Sequence, residues 1–347
     1  MTKVNKISAM LLAALATASL LSCNKEEVAA PSDKTAIGFH SKDVWTKALV
    51  SGVNDLKGEG FVVYAKGTFS GTGDTYYFNR DVKWSTVDGV AGWNYDNLEY
   101  WLPTCTYDFR AYFPAQFPAT SINKEDFSFT GFTIAPQYGN QKDILVANAQ
   151  RATSEIATEG STVPLSFSHL LSNLNVTLKV APVVRDKVDE NGNPVDENND
   201  GQPDQETIDA LEADLTAVAF NGVAQTADYN GTWTGHGSST AVGGNMSPAV
   251  PVTIGGVSVF GEDGLLVIPE GFETGKVKLY ISANITMPDG AQMSKVWNLD
   301  VPGTTWLPNT KYRYTATLTA DFNIEFDEPQ VESWGEEQMN SGTVIIR

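Results

Sequence analysis

The acidic run Asp189–Asp214 holds the residues whose types and spacing come closest to a chemical site. Asp196, Asn198, Asp200, Gly201 and Asp204 follow the D-x-N-x-D-G-x-x-D opening of an EF-hand-type loop, where alternate oxygens face a cation and glycine permits the tight turn. Gln202 takes the seventh place. The closing bidentate acid is out of position: the twelfth place is Thr207, with Glu206 one before it and Asp209 two after. Eleven acids less Lys187 leave ten net negative charges between Asp186 and Asp214, and a bound cation would relieve their repulsion. One reading is therefore calcium held by Asp196, Asn198, Asp200, Gln202, Asp204 and Asp209. The other is a solvated acidic loop whose Gly, Asn and Pro only make turns.

Nothing else in the chain forms a constellation for catalysis, and no cofactor is required. The three histidines, His40, His169 and His236, are scattered, and none stands at metal-ligand spacing from another His or Cys. His169 lies between Phe167 and Leu171 on an apolar strand face, which marks a hydrogen-bonded core histidine. There is no GxSxG elbow, P-loop or GxGxxG. The chain reads as a non-enzyme.

Cys23 is one of only two cysteines, and it follows an apolar run. Lys3 and Lys6 precede Ile7–Leu21, a stretch of about 15 mostly apolar and small residues, too short to span a bilayer but suited to a secretory signal. Leu20-Leu21-Ser22-Cys23 resembles the bacterial lipobox, in which a thiol is acylated and the chain is cut before it. Asn24-Lys25-Glu26-Glu27 resembles the export signal that sends such lipoproteins to the outer face of the cell. Residues 1–22 are thus expected to be a lipoprotein signal peptide, 23–35 a flexible tether, and Cys23 a palmitate-bearing attachment to the outer membrane. Cys105, the other cysteine, would then have no disulfide partner.

The formal charge is −19, and loss of residues 1–22 with Lys3 and Lys6 would take it to about −21. So acidic a chain does not hold nucleic acid by neutralising phosphates. Its 347 residues, 41% of them hydrophobic, exceed what one small core organises well, which points to two domains.

Period-two alternation dominates from Ala36 onward. Tyr107, Phe109, Ala111 and Phe113 share one face, with Asp108, Arg110 and Tyr112 opposite. Val277, Leu279, Ile281, Ala283 and Ile285 form another such face, and Pro288-Asp289-Gly290 returns the chain as a hairpin into "MSKVWNLDV". "GLLVIP" and "KYRYTATLTADFNIEF" add further strands. "QETIDALEADLTAV" is the clearest candidate for a short helix. Apolar residues sit at odd positions from Val163 to Leu171 and at even ones from Leu174 to Val180, which fits a bulge or a bend between two sheets. The fold expected is an all-β sandwich, with a domain crossing near residues 161–172.

Several segments, taken in order, resemble the fimbrillin-like family, the type V pilus subunits and Mfa-like surface lipoproteins of gut and oral anaerobes. They are "YYFNRDVKW", "WNYDNLEYWLPTCTYDFRAYFPA", "DILVA", "VPLSFSHLLSNLNVTLKV", "LPNTKYRYTATL" and "VESWGEE". The resemblance implies two tandem transthyretin-like Greek-key sandwiches, at 36–165 and at 166–347 with an acidic insertion at 186–214. It also implies removal of a first strand within "IGFHSKDVWTKALVS" and uptake of a C-terminal strand from another pilus subunit, by β-strand addition. Thr46-Lys47-Ala48 stands where the family often has Thr-Arg-Ala, so Lys47 and Ala48 flank the processing site. Lysine there suits a protease that accepts both basic residues but not one strict for arginine. Thr343, Val344, Ile345 and Ile346 form either the donor strand or the last edge strand of their own sheet. The implied role is a pilus subunit, structural or accessory, in adhesion to a host or bacterial surface ligand.

The alternative from another class is a non-polymerising, glycan-binding surface lipoprotein. It would require an exposed coplanar pair among Trp84, Trp93, Trp101, Trp233 and Trp306; the aromatics of Trp93–Phe117 otherwise read as a core face.

Overall fold

The structure, a computed structural model, describes residues 34–41, 53–287 and 290–334. It is built mostly of strands, as the alternation predicts. The described chain opens with β1 (Gly38–Ser41) and a short helix, α1 (Val53–Glu59). Gly60 ends α1 in a left-handed conformation (φ +72°), its N–H donating to the Leu56 carbonyl. A Cβ there would lie 2.5 Å from the Val82 carbonyl, so the position demands glycine.

β2 (Phe61–Phe69), β3 (Thr75–Val87), β4 (Val90–Asn94) and β5 (Cys105–Phe113) follow. The short pair β6 (Ser121–Ile122) and β7 (Phe129–Thr133) comes next, then β8 (Leu145–Ala152), β9 (Thr162–Leu165) and β10 (Phe167–His169). One sheet has the order β10-β8-β5-β2-β3-β4. The face expected to be apolar is buried: Tyr107, Phe109, Ala111 and Phe113 pack with Phe61, Val63 and Ala65 of β2. Tyr112, placed by its period on the polar face, is fully buried as well, because a separate cluster, described below, covers the back of the sheet at that end.

The change of parity near residue 172 is a bend, and not a bulge within one strand. β10 pairs with β8 in the first sheet, whereas β11 (Ser172–Val180) runs in another. β12 (Pro182–Asp186) and β13 (Gln205–Asp209) form a ribbon beneath the acidic loop. The long strands β14 (Glu212–Tyr229) and β15 (Trp233–Val252) lead through β16 (Val257–Ser258), β17 (Leu265–Val267) and β18 (Gly271–Phe272) to the hairpin of β19 (Lys278–Thr286) and β20 (Gln292–Asp300). β21 (Thr304–Thr305), β22 (Thr310–Leu318), β23 (Ile324–Phe326) and β24 (Gln330–Ser333) complete the described chain.

β11 and β22 pair in parallel over nine residues and face the sheet β20-β19-β14-β7-β6 across a common core. Val277, Leu279, Ile281, Ala283 and Ile285 are all buried there, as their alternation requires. The expected helix over "QETIDALEADLTAV" is absent. Residues 205–209 pair with 182–186, and Glu212 onward pairs with both β15 and β19. Ile208, Leu211 and Leu215 have helical spacing, but Leu211, Ala213 and Leu215 also have period two. Ladder pairing on both edges of β14 decides between them.

A third cluster joins residues from both ends of the chain: Val62, Tyr112, Phe129, Leu171, Tyr229, Leu266 and Trp334 among them. Here the Trp334 ring stacks on His169 at 3.8 Å between centroids and 5° between planes. His169 Nδ1 lies 2.5 Å from a buried Asp143 carboxylate oxygen, and Asn309 accepts the Trp334 N–H at its carbonyl. His169 is thus the hydrogen-bonded core histidine its setting predicted.

Trp334→Ala should cost about 3–5 kcal/mol, read as a lower urea midpoint with an unchanged slope. Burial drives the second expectation, a loss of stability in alkali. It pushes the Tyr314 hydroxyl up to about 12, and those of Tyr107 and Tyr112 also upward, from a usual 10.0. The native state therefore keeps these protons where the unfolded chain has released them. Their stabilisation is complete below pH 10 and is lost as pH rises through 12. Urea midpoints measured across that interval should fall, and less steeply in Tyr314→Phe.

Candidate functional site

β1 lies in a trough between two unlike walls. On one side it pairs in parallel with β9, Gly38 opposite Thr162 through Ser41 opposite Leu165. On the other it meets the segment Trp93–Tyr100, where Ala36 bridges Tyr100 and the Ile37 N–H donates to the Glu99 carbonyl at 2.8 Å. Strand alternation then sorts its side chains. Ile37, Phe39 and Ser41 point in and are 1%, 5% and 5% exposed, while His40 points out to solvent. The Phe39 ring sits between Tyr95 at 5.6 Å and Phe109 at 5.8 Å. Trp93 Nε1 donates to Ser41 Oγ at 3.0 Å, and the Tyr95 hydroxyl to the Ile37 carbonyl at 2.6 Å.

The second wall is itself braced. Glu99 is buried, its carboxylate accepting from the Tyr76 hydroxyl at 2.7 Å and paired with Arg80, whose Nε also donates to the Asn97 carbonyl. Burial raises the Tyr95 hydroxyl above its usual value, so it stays a donor to the Ile37 carbonyl. Such a trough recognises a strand in two ways. Main-chain groups give adhesion to any sequence, and alternate pockets select an aliphatic, an aromatic and a small residue at every second position. Glu99, Arg80 and Tyr76 escaped sequence reasoning, since only the fold brings residues 76–80 and 99 together.

The fimbrillin-like family model matches residues 46–334. The chain belongs to the fimbrillin-like family. A fimbrial protein from Bacteroides vulgatus aligns at a TM-score of 0.63 and 18% identity, covering 87% of this chain and all of that one (100%). A candidate cell adhesion protein from Bacteroides uniformis aligns at 0.47 and 16% identity, covering 88% and 99%. The tip fimbrial protein Mfa3 from Porphyromonas gingivalis, with a C-terminal truncation, aligns at 0.38 and 10%, covering 83% and 97%. Only the first likeness is close enough to speak to the fold, and it agrees with the β-sandwich reading. No curated protein matches the sequence. The family is one of fimbrial structural proteins and not of enzymes.

Several residues singled out in this fimbrillin-like chain lie outside the described structure: Cys23, Lys47, Ala48, Thr343, Val344, Ile345 and Ile346. The acidic residues are described. Asp196 spends its two carboxylate oxygens on the N–H groups of Asp200 and Gly201. Asn198 caps Asp200, Asp200 caps Gln202, and Asp204 accepts from the Glu197 N–H. Asp209 stands apart on β13, accepting from the Ile254 N–H. Among the described residues no three His, Cys, Asp or Glu side chains converge as a metal site would require.

Tryptophan geometry bears on the glycan reading. Trp101 and Trp306 are buried, and Trp84 meets Trp93 edge-on at 80°. Trp84, with Lys57 Nζ 4.1 Å above its ring, offers no coplanar partner among the described residues. No helix among the described residues is long and apolar enough to cross a membrane.

The trough predicts a steep contrast within one strand. Phe39→Ala should destabilise the fold by about 3–5 kcal/mol, whereas His40→Ala should stay within ~0.5 kcal/mol of the parent in the same denaturation series.

Proposed function

We propose that this chain is a surface-anchored fimbrial subunit, structural or accessory, that acts in cell adhesion and assembles by β-strand donation. The observation that carries the reading is the seating of β1. It is four residues long, pairs among the described strands only with β9, and together with the preceding Ile37 inserts Phe39 and Ser41 into a trough lined by aromatic rings. A strand held so locally can be replaced by another of matching pattern without dismantling either core. Family membership and the likeness to a fimbrial protein supply the setting.

In this proposal Cys23 carries the lipid and fixes the protein to the outer membrane at the cell surface. Lys47-Ala48 is the point at which β1 can be severed, and Thr343–Ile346 is the strand offered to a neighbouring subunit. The partners are copies of this chain or other pilus subunits, with a host or bacterial surface ligand at the assembled fibre. Lysine in place of arginine at the cut favours an anchor that keeps its first strand.

Two measurements test this. The N-terminal peptide recovered from cell-surface material should be lipid-modified Cys23; a chain starting at Ala48 would instead make the protein a polymerising subunit. Protein nicked at Lys47 should form detergent-resistant oligomers, and truncation after Trp334 should abolish them. Fully nicked protein that remains monomeric would rule out strand donation.

A further inference from the structure

β9 has one ladder partner, β1, and the two form a separate two-stranded sheet. Alternate carbonyls of a strand point to opposite edges. The Ser161 carbonyl faces β1 and accepts the Gly38 N–H at 3.2 Å. The Gly160 and Thr162 carbonyls face the far edge, where no strand runs among the described residues. On that edge Pro164 lacks an N–H, so β9 could not complete a ladder there in any case.

One side chain takes the place of a strand on that far edge, and a second reaches the β1-facing edge. Arg151, on β8 and only 5% exposed, donates from Nη1 to the Thr162 carbonyl at 2.8 Å and from Nη2 to the Gly160 carbonyl at 3.0 Å. Glu159, largely exposed, lies 3.2 Å from Nη2. Trp101, 6% exposed, donates from Nε1 to the Ser161 carbonyl at 3.0 Å, its ring edge-on to Tyr107 at 5.3 Å. Three successive carbonyls, 160, 161 and 162, are thus held by groups that do not belong to β1. Arg151 Nε is buried with no acceptor. An uncompensated donor of this kind is a cost that core packing alone gives no reason to bear.

We infer that Arg151 and Trp101 are positioning residues that keep β9 extended as a template when β1 is absent. This rests on the strand-exchange reading of the trough. Were β1 to leave, β9 would lose every ladder hydrogen bond, and a strand without a ladder has no backbone reason to stay extended. The guanidinium fork spans two carbonyls at the spacing of an extended chain and so enforces that conformation from the far side. The indole N–H holds the first β1-facing carbonyl in register. Val163 and Leu165, both fully buried, then keep the trough floor in place. An incoming strand meets a formed edge and does not have to order one.

The test uses the full chain nicked at Lys47 and a labelled synthetic peptide of residues 35–42, the protein's own first strand. Uptake by Arg151→Met should be slower by roughly ten- to hundredfold, the worth of two charge-assisted hydrogen bonds in an ordering step. Arg151→Lys keeps the charge but not the fork, and should fail to restore the rate. Trp101→Phe keeps the ring and should slow uptake severalfold. Val301→Ala, buried in the distant core, serves as the control for lost stability and should take up peptide at the parental rate. Parental uptake by both Arg151→Met and Trp101→Phe would overturn the inference, as would a loss in Val301→Ala equal to theirs at matched urea midpoints. Because the peptide is the chain's own strand, the outcome is independent of whether C-terminal segments form oligomers. Failure of polymerisation and failure of the template are therefore told apart.

Discussion

The parallel pairing of β1 with β9 is the constraint on which the working parts of this molecule depend. Elsewhere in the first sheet each internal strand is held on both edges, and β5 alone pairs over eight residues with β2 and eight with β8. β1 contributes four paired residues to one partner and side chains to a trough. Its removal would take nothing from the ladders of the main sheets. It would expose the rings of Tyr95 and Phe109 and the edge of β9 together, so apolar surface and unpaired main chain appear in one place. That combination is what strand addition requires, and a monomer avoids it by keeping the trough filled.

The far end of the described chain is fixed by a different device. Trp334 is held by stacking on His169, by the Asn309 carbonyl and by the surrounding aliphatic side chains. Asn309 works in both directions, since its N–H donates to Leu171 and its side chain accepts from the His169 N–H. A left-handed backbone at Asn309 (φ +56°) lets one residue serve both. The Trp334 backbone is thereby anchored where the chain passes from β10 to β11.

The architecture was legible where period two was clean. The faces 107–113 and 277–285 went inward as their alternation demanded, and the parity change at 172 marked the passage between sheets. Reading failed where one set of residues satisfied two periods, as at Leu211 and Leu215, since a ladder on both edges is a tertiary fact with no local signature. His169 was readable as a core histidine, yet its partners Asp143 and Trp334 were not, because they lie far off in sequence and meet only in the third cluster. The trough was half legible. Ile37 and Phe39 announced a strand, but Glu99 and Arg151 gave no hint of bracing its walls. In the acidic loop the spacing points toward a cation, and in the fold the carboxylates of Asp196 and Asp200 also accept backbone N–H groups of the same loop.

The energetics of β1 explain why a cut would matter so much more than a mutation. Burying Ile37 and Phe39 is worth about 1.5–3 kcal/mol each, against roughly 1–2 kcal/mol of backbone entropy for each residue ordered. So short a strand is close to balance by itself. While the chain is continuous, covalent linkage gives β1 an effective concentration near the millimolar range, about a thousandfold above that of a free strand at ~1 μM. Severing Lys47 from Ala48 would remove that advantage. The trough would then pass to whichever strand is presented at higher local concentration or with better-matched pockets. Under the proposed strand donation, an intact bond at Lys47 would make the same strand a plug, and a single peptide bond would separate a closed subunit from one that can be extended.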